Sequence, residues 1–183
     1  MILVDTPRWP WRDQLWGHMV SDVSLQELHQ FARQIGKRRI GFQGDHYDVN
    51  QKEHQLAIEA GAKAVGSREL VRSLRDSGLR NRTNRPTWSV VYESTGSQTQ
   101  SELVEAINRS ISSEDHRTRL HHALLSANPH LEALSALIVE HEEASAVVLK
   151  LREDPCLDSV DLDLFVNSES DGLRVVELII GDC

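Results

Sequence analysis

The chain has 183 residues, 39% of them hydrophobic and 26% charged, with a mean hydropathy of -0.40. That length allows one ordinary domain or two small ones, and the composition excludes disordered, fibrous and disulfide-stapled classes. No apolar run nears the roughly 18–20 residues that span a bilayer, so no membrane partner is expected. The cysteines are Cys156 and Cys183, too few for a disulfide framework, so a cytoplasmic setting is expected.

Charge divides the chain. The first 85 residues hold 14 Lys and Arg against 10 Asp and Glu, a net +4; the remaining 98 hold 6 against 18, a net -12. A split this large predicts two units with different surfaces. The polar stretch 81–87, with Pro86 near its end, reads as a linker between a front domain at 1–80 and an acidic domain at 88–183.

The front half reads as a small α/β domain with a three-stranded parallel sheet in the order βαβαβα. Ile2–Val4 is a short apolar strand. Ser24 and Glu27 form a capping box before a helix with Leu25, Leu28, Ala32 and Ile35 at helical spacing, closed by Gly36. Arg39–Phe42 reads as the second strand. Asn50 and Glu53 open another helix, Gly61 ends it, and Ala62–Gly66 is the third strand. Ser67 caps a helix carrying Leu70, Val71 and Leu74, which Gly78 closes. The segment Trp9–Met19 is left as a loop.

The back half reads as α+β. Trp88–Glu93 is a strand, and helices follow around 101–111 and 114–127. Asn128-Pro129 is a helix-start signal, so Leu131–Arg152 is expected to be one long helix. The alternative is a strand at 137–139 before a helix at 144–151. Val160, Leu162, Leu164 and Val166 alternate with Asp161 and Asp163, as in a half-buried strand. Asp171-Gly172 is a hairpin turn, and Leu173–Ile180 returns. Asp161, Asp163 and Glu177 read as outward, solubilising residues. Cys156, after Pro155, reads as a structural residue at a helix end.

Ligands of open parallel sheets bind beyond the carboxyl ends of the strands. Asp5, the run Asp45-His46-Tyr47-Asp48 and the run Ser67-Arg68-Glu69 all leave strands at that edge, and His18 lies in the loop that starts there. Asp5, His46 and Asp48 are the expected ligands of a divalent metal (Mg²⁺, Mn²⁺ or Zn²⁺), with His18 a further ligand or the general base. In an extended segment His46 and Asp48 share one side. The helix start at Ser67, with Arg68 and Arg72, suits a phosphate or other anion. Against this stands the plain reading, in which the carboxylates cap helices and His46 packs. Trp9, Trp11 and Trp16 suit base stacking, but plugging of an open sheet edge is favoured. Arg68, Arg72 and Arg75 share a helix face, and with Arg80, Arg82 and Arg85 they make a basic inventory. The acidic whole chain nevertheless disfavours stable nucleic-acid binding.

The segments Trp16-Gly17-His18, Ser21-Asp22, Glu27-Leu28-His29, His46-Tyr47-Asp48 and Ser67-Arg68-Glu69-Leu70 follow one another in this order after Asp5. This succession resembles an uncharacterised bacterial and phage family built on a domain of unknown function. The resemblance covers roughly the first 80 residues and leaves 86–183 unaccounted for. It carries over no activity. It implies that Asp5, His18, Asp22, His46, Asp48, Arg68 and Glu69 hold signature positions, with Asp45 and Tyr47 in the same run. The expected function is a metal-dependent hydrolase acting on a phosphate ester, a nucleotide or a nucleic-acid end. The alternative is a non-catalytic module that binds an anion or partner and self-associates through the acidic half, whose terminal hairpin offers an open edge.

Overall fold

The computed structural model describes residues 1–11, 13–80, 87–128, 130–141 and 143–181. It divides into two compact units, Met1–Pro86 and Thr87–Cys183. The expected linker lies outside the described residues apart from Thr87, as do Arg82, Arg85, Pro129 and Cys183.

The front unit is α/β, as expected, but its sheet has five strands and is mostly antiparallel. The strands are β1 (Ile2–Asp5), β2 (Trp9–Trp11), β3 (Gln14–Ser21), β4 (Tyr47–Asn50) and β5 (Lys63–Val65), and the helices are α1 (Leu25–Gln34), α2 (Gln51–Glu59) and α3 (Ser67–Asp76). Only β1 and β5 run parallel; β3 pairs antiparallel with β1, β2 and β4. The three-stranded parallel sheet is therefore corrected at two places. The expected loop 9–19 is a β-hairpin, turned at Asp13 with φ of 60°. The expected strand 39–42 is a 3-10 turn over Arg39–Gly41, followed by a tight reversal in which Gln43 N–H donates to His46 C=O at 2.8 Å. Ile40 and Phe42 alone cannot show whether a short apolar run is strand or turn. Asp45 to Asp48 therefore enters a strand rather than leaving one.

Alternation sorts the sheet's two faces. Ile2, Val4, Met19, Tyr47 and Val49 point to one side and pack with Leu28, Ala32 and Ala57 of α1 and α2. Leu3, Val20 and Val65 point to the other and pack with Leu70 and Leu74 of α3. One helix cannot cover a five-stranded face, so the part of it bearing Trp16, His18 and Asp48 is left open beside α3.

The helix ends follow the sequence in part. Asn50 and Glu53 form the full reciprocal capping box. Ser24 accepts from Glu27 N–H, but the Glu27 carboxylate turns to the Ser21 hydroxyl and the Met1 ammonium, so only half that box exists. Gly66, not Ser67, caps α3, and the Ser67 side chain is engaged elsewhere.

The second unit is α+β. Its sheet follows the order β10-β11-β9-β8-β6, with a short β7 beside β8. These strands are β6 (Ser89–Ser94), β7 (Gln98–Thr99), β8 (Glu132–His141), β9 (Ala144–Leu151), β10 (Leu164–Ser170) and β11 (Leu173–Ile180); α4 (Gln100–Ser110) and α5 (Glu114–Ser126) pack on one face. The long helix expected at 131–152 is instead the β8–β9 hairpin, and the alternative helix at 144–151 is overturned with it. β9 is buried along nearly its whole length; such a strand loses alternation and reads like a buried helix. Asn128 starts no helix; its side chain accepts from His130 N–H.

The terminal hairpin stands, with Asp171 and Gly172 both at positive φ. Its first arm starts at Leu164, and Val160 is exposed. Asp163 is bound to Arg119 at 2.7 Å and Asp161 to His122, so neither is a free solubilising group. Glu177 is fully buried rather than outward. Cys156 is exposed and at no helix end. No helix among the described residues is long and apolar enough to cross a membrane.

Candidate functional site

Gly17 makes the site possible. A Cβ there would lie 2.5 Å from the Asp5 carbonyl oxygen, 3.0 Å from its Oδ1 and 3.2 Å from Pro7 N. Opposite Gly17 the first arm of the hairpin carries extra residues. Val4 faces Met19 and Trp9 faces Trp16, five steps on one arm against three on the other. Without a side chain at Gly17 the bulged arm closes down on β3. The buried Asp5 carboxylate then accepts His18 N–H at 2.6 Å and lies 3.3 Å from His18 Nδ1.

His46 is built the same way. Its Nδ1 lies 2.5 Å from Oδ1 of Asp45, and Asp45 is buried. Each imidazole thus has a buried carboxylate behind Nδ1. The outer nitrogens converge: His46 Nε2 is 3.4 Å and His18 Nε2 4.0 Å from Asp48 Oδ1. The rings meet edge to face with centroids 5.3 Å apart. One donor atom from each of His18, His46 and Asp48 falls within 4.8 Å of the others. A carboxylate or carbonyl behind a histidine's second nitrogen fixes the tautomer that presents a lone pair to a metal.

The electrostatics agree. Burial acts to raise the Asp5 pKa, but hydrogen bonds from the His18 ring, the Ser67 hydroxyl and His18 N–H outweigh it and hold the pKa below the usual carboxylate value. Asp48 is likewise lowered. Burial opposes ionisation there, and the His46 hydrogen bond with the charges of His46, His18 and Lys37 prevails. Both carboxylates are anionic at neutral pH.

A cleft of about 510 Å³ opens beside this cluster, between the same sheet face and the Leu70, Val71 and Leu74 side of α3. Asp5, His18, Asp45, His46, Ser67 and Arg80 line it, with Trp9 at one wall. A larger hollow at the hairpin tip, about 770 Å³, lies among Pro10, Leu15, Asn50 and Lys52, with no imidazole and little to direct chemistry.

Several expected site residues fall elsewhere. Asp5 stands on the Nδ1 side of His18, behind the converging Nε2 atoms rather than among the groups they face. Arg68 and Arg72 are exposed on the outer face of α3 and do not line the cleft. Glu69 is exposed and pairs with Lys63 at 3.4 Å. Asp22 binds the Met1 ammonium at 2.5 Å. Tyr47 is buried on the opposite sheet face, its hydroxyl 3.0 Å from His29 Nδ1. Burial and the nearby Arg39 charge lower the His29 pKa to about 4. The Trp plug is also corrected: Trp9 and Trp11 are 61% and 56% exposed. Two contributors escape a sequence reading. Gly17 carries no chemistry of its own, and Arg80 is one arginine among many; only Gly17, between Trp16 and His18, left a local signal.

Residues 2–77 match the family DUF4031, a protein of unknown function. This bears out the resemblance drawn from the signature residues. The DUF4031 match takes in His18, His46 and Asp48 and none of the second unit. Searches of curated proteins and of solved structures gave no match.

Proposed function

We propose that the DUF4031 unit is a metal-dependent hydrolase of phosphate esters. The observation that carries the reading is the pair of carboxylate-backed imidazoles whose Nε2 atoms converge on Asp48. Two imidazoles and one carboxylate form the ligand set used by Zn²⁺, Mn²⁺ and non-haem Fe²⁺, and imidazole disfavours Mg²⁺. Donors about 2.0–2.1 Å from a tetrahedral ion stand about 3.3 Å apart. The two separations from Asp48, 3.4 Å and 4.0 Å, lie near that value, and all three donor atoms fall within 4.8 Å of one another.

Three protein ligands leave a coordination position for water. A divalent ion held by His18, His46 and Asp48 would lower the pKa of that water towards 7 and so supply hydroxide at neutral pH. That hydroxide would be the nucleophile for phosphorus, with the ester P–O bond breaking and the leaving alkoxide protonated by solvent. Asp45 and Asp5 orient the imidazoles. Arg80 and the backbone N–H groups at the start of α3 favour the substrate's negative charge. His18 is thus assigned as a ligand rather than the general base.

The test is a melt of the whole chain in EDTA and then with Zn²⁺ or Mn²⁺, paired with hydrolysis of p-nitrophenyl phosphate. An ion at 100 times its Kd adds about 2.7 kcal/mol, or roughly 10 °C or more for a unit of this size. His46→Ala and the half-exposed Asp48→Asn should abolish both the shift and the activity. Asp45→Asn should weaken metal binding about 10- to 100-fold. A wild-type protein whose melt ignores both metals would sink the metal reading. A metal shift without turnover would leave a metal-binding module and remove the hydrolase.

A further inference from the structure

The cleft has one wall that phosphate chemistry does not require. Trp9 lies opposite Trp16 across the hairpin, and Trp16 precedes His18 by two residues on the same strand. All three side chains therefore share a sheet face. Trp9 lines the cleft and is nevertheless 61% exposed, so a large flat apolar ring stands at its rim, with Leu70, Val71 and Leu74 on the α3 side. At the α3 side of the same cleft stands Arg80. Its guanidinium is a fixed positive charge that favours an anion. The ligand this arrangement suits is flat and apolar at one end and anionic at the other.

We infer that the cleft takes a nucleoside phosphate, with its base stacked on the Trp9 indole and its phosphate towards Arg80. The volume of about 510 Å³ lies in the range of sites that enclose small ligands. Base–indole stacking tolerates any base, because each has a π face. Trp11 and Trp16, in edge contact at 5.7 Å, continue the aromatic surface along the hairpin away from the cleft. The shared chemistry therefore suits a free mononucleotide or the phosphorylated end of a strand. The inference deepens the hydrolase reading and rests on it for the identity of the reacting group.

The experiment is titration calorimetry of the full chain, in EDTA and again with Zn²⁺, using AMP, ribose 5-phosphate and 5′-phosphorylated hexathymidylate. AMP should bind about 5- to 150-fold more tightly than ribose 5-phosphate, the range one stacked base supplies. Trp9→Ala should erase that preference, Trp9→Phe should keep part of it, and Zn²⁺ affinity should be unchanged in both. Arg80→Gln should weaken AMP and ribose 5-phosphate alike. Tighter binding of the hexamer than of AMP assigns the strand end, and the reverse assigns the free nucleotide. Equal affinity for AMP and ribose 5-phosphate overturns the inference, as does a preference that survives in Trp9→Ala. If Zn²⁺ fails to bind while the Trp9-dependent preference remains, the hydrolase reading falls and the nucleotide site stands. If Zn²⁺ binds and the base adds nothing, only the nucleotide site falls.

Discussion

Replacing Gly17 with alanine should damage fold and site together. The new Cβ would sit 2.5 Å from the Asp5 carbonyl oxygen, where ordinary contact begins at 3.4 Å. The two strands must part by about 0.9 Å, and the obstacle is backbone, which cannot swing aside as a side chain would. Overpacking of this kind costs about 1–3 kcal/mol. For a unit of this size that is roughly 4–20 °C in Tm. Separation also lengthens the 2.6 Å bond from His18 N–H to the Asp5 carboxylate. Loss of the group that orients a ligating imidazole should weaken Zn²⁺ binding by about 10- to 100-fold. Tryptophan fluorescence is a suitable probe of the melt, because Trp9, Trp11 and Trp16 report on the front unit and only Trp88 lies beyond it. Gly61→Ala is the control: its φ of 103° disfavours a side chain, but nothing lies within 4 Å of the added Cβ. It should lose about 1–2 kcal/mol through backbone strain and leave Zn²⁺ affinity intact. Unchanged metal affinity in a destabilised Gly17→Ala would refute the link between the close approach and the site.

Three further outcomes follow from local structure. His29 has its pKa lowered to about 4, so folding disfavours its protonated form. Its contribution is complete above the unfolded value near 6.5 and is lost as pH falls from there towards 4. An NMR titration should give a His29 midpoint near 4, and a midpoint near 6.5 contradicts the burial argument. Asp163 is held below its usual 3.8 by Arg119 and by Gly181 N–H, with burial acting weakly against them. Its stabilisation is present above the usual value and disappears as pH falls through the lowered one. Asp163→Asn should therefore cost stability at pH 7 and little at pH 2, and a pH-independent loss would count against the ion pair. Asn50→Ala breaks a capping box whose two bonds are each 2.9 Å. It should cost about 0.5–2 kcal/mol in urea unfolding, with Asn50→Gly costing only a few tenths; equal losses would show that the cap contributes little.

Several local signals were legible because one short stretch carried the whole cause. The Asn50–Glu53 box, the helix-ending glycines at 36, 61 and 78 and the Asp171-Gly172 turn depend on a few neighbouring residues, and all occur where expected. The failures share a different cause. β9 is buried on both faces, so its apolar run carries no period to tell strand from helix. The hairpin 9–21 was hidden because prolines and indoles read as loop, while its pairing depends on contacts across the chain. Parallel order was inferred from alternating strands and helices, yet β3 entered the sheet between β1 and β4 and made most of the pairs antiparallel.

The candidate site divides in the same way. That histidines and aspartates near positions 5, 18 and 45–48 belong together was readable from residue type, and His46 and Asp48 on one side of an extended segment from the two-residue period alone. Which of them touch was settled by tertiary structure. Side-chain chemistry is the same for every aspartate, so no sequence rule separates Asp48, facing both Nε2 atoms, from Asp5 and Asp45, standing behind the rings. The roles differ because the Gly17 approach fixes Asp5 against Nδ1 of His18, and the turn at 43–46 sets Asp45 against Nδ1 of His46. Likewise Arg68 and Arg72 look as suitable as Arg80 until the buried face of α3, set by Leu70 and Leu74, turns the first two to solvent. Residue chemistry thus determined what kinds of group the protein has to work with. Strand register and the one-sided cover of α3 decided which of them share a cleft, because proximity between distant residues is a property of packing and not of local sequence.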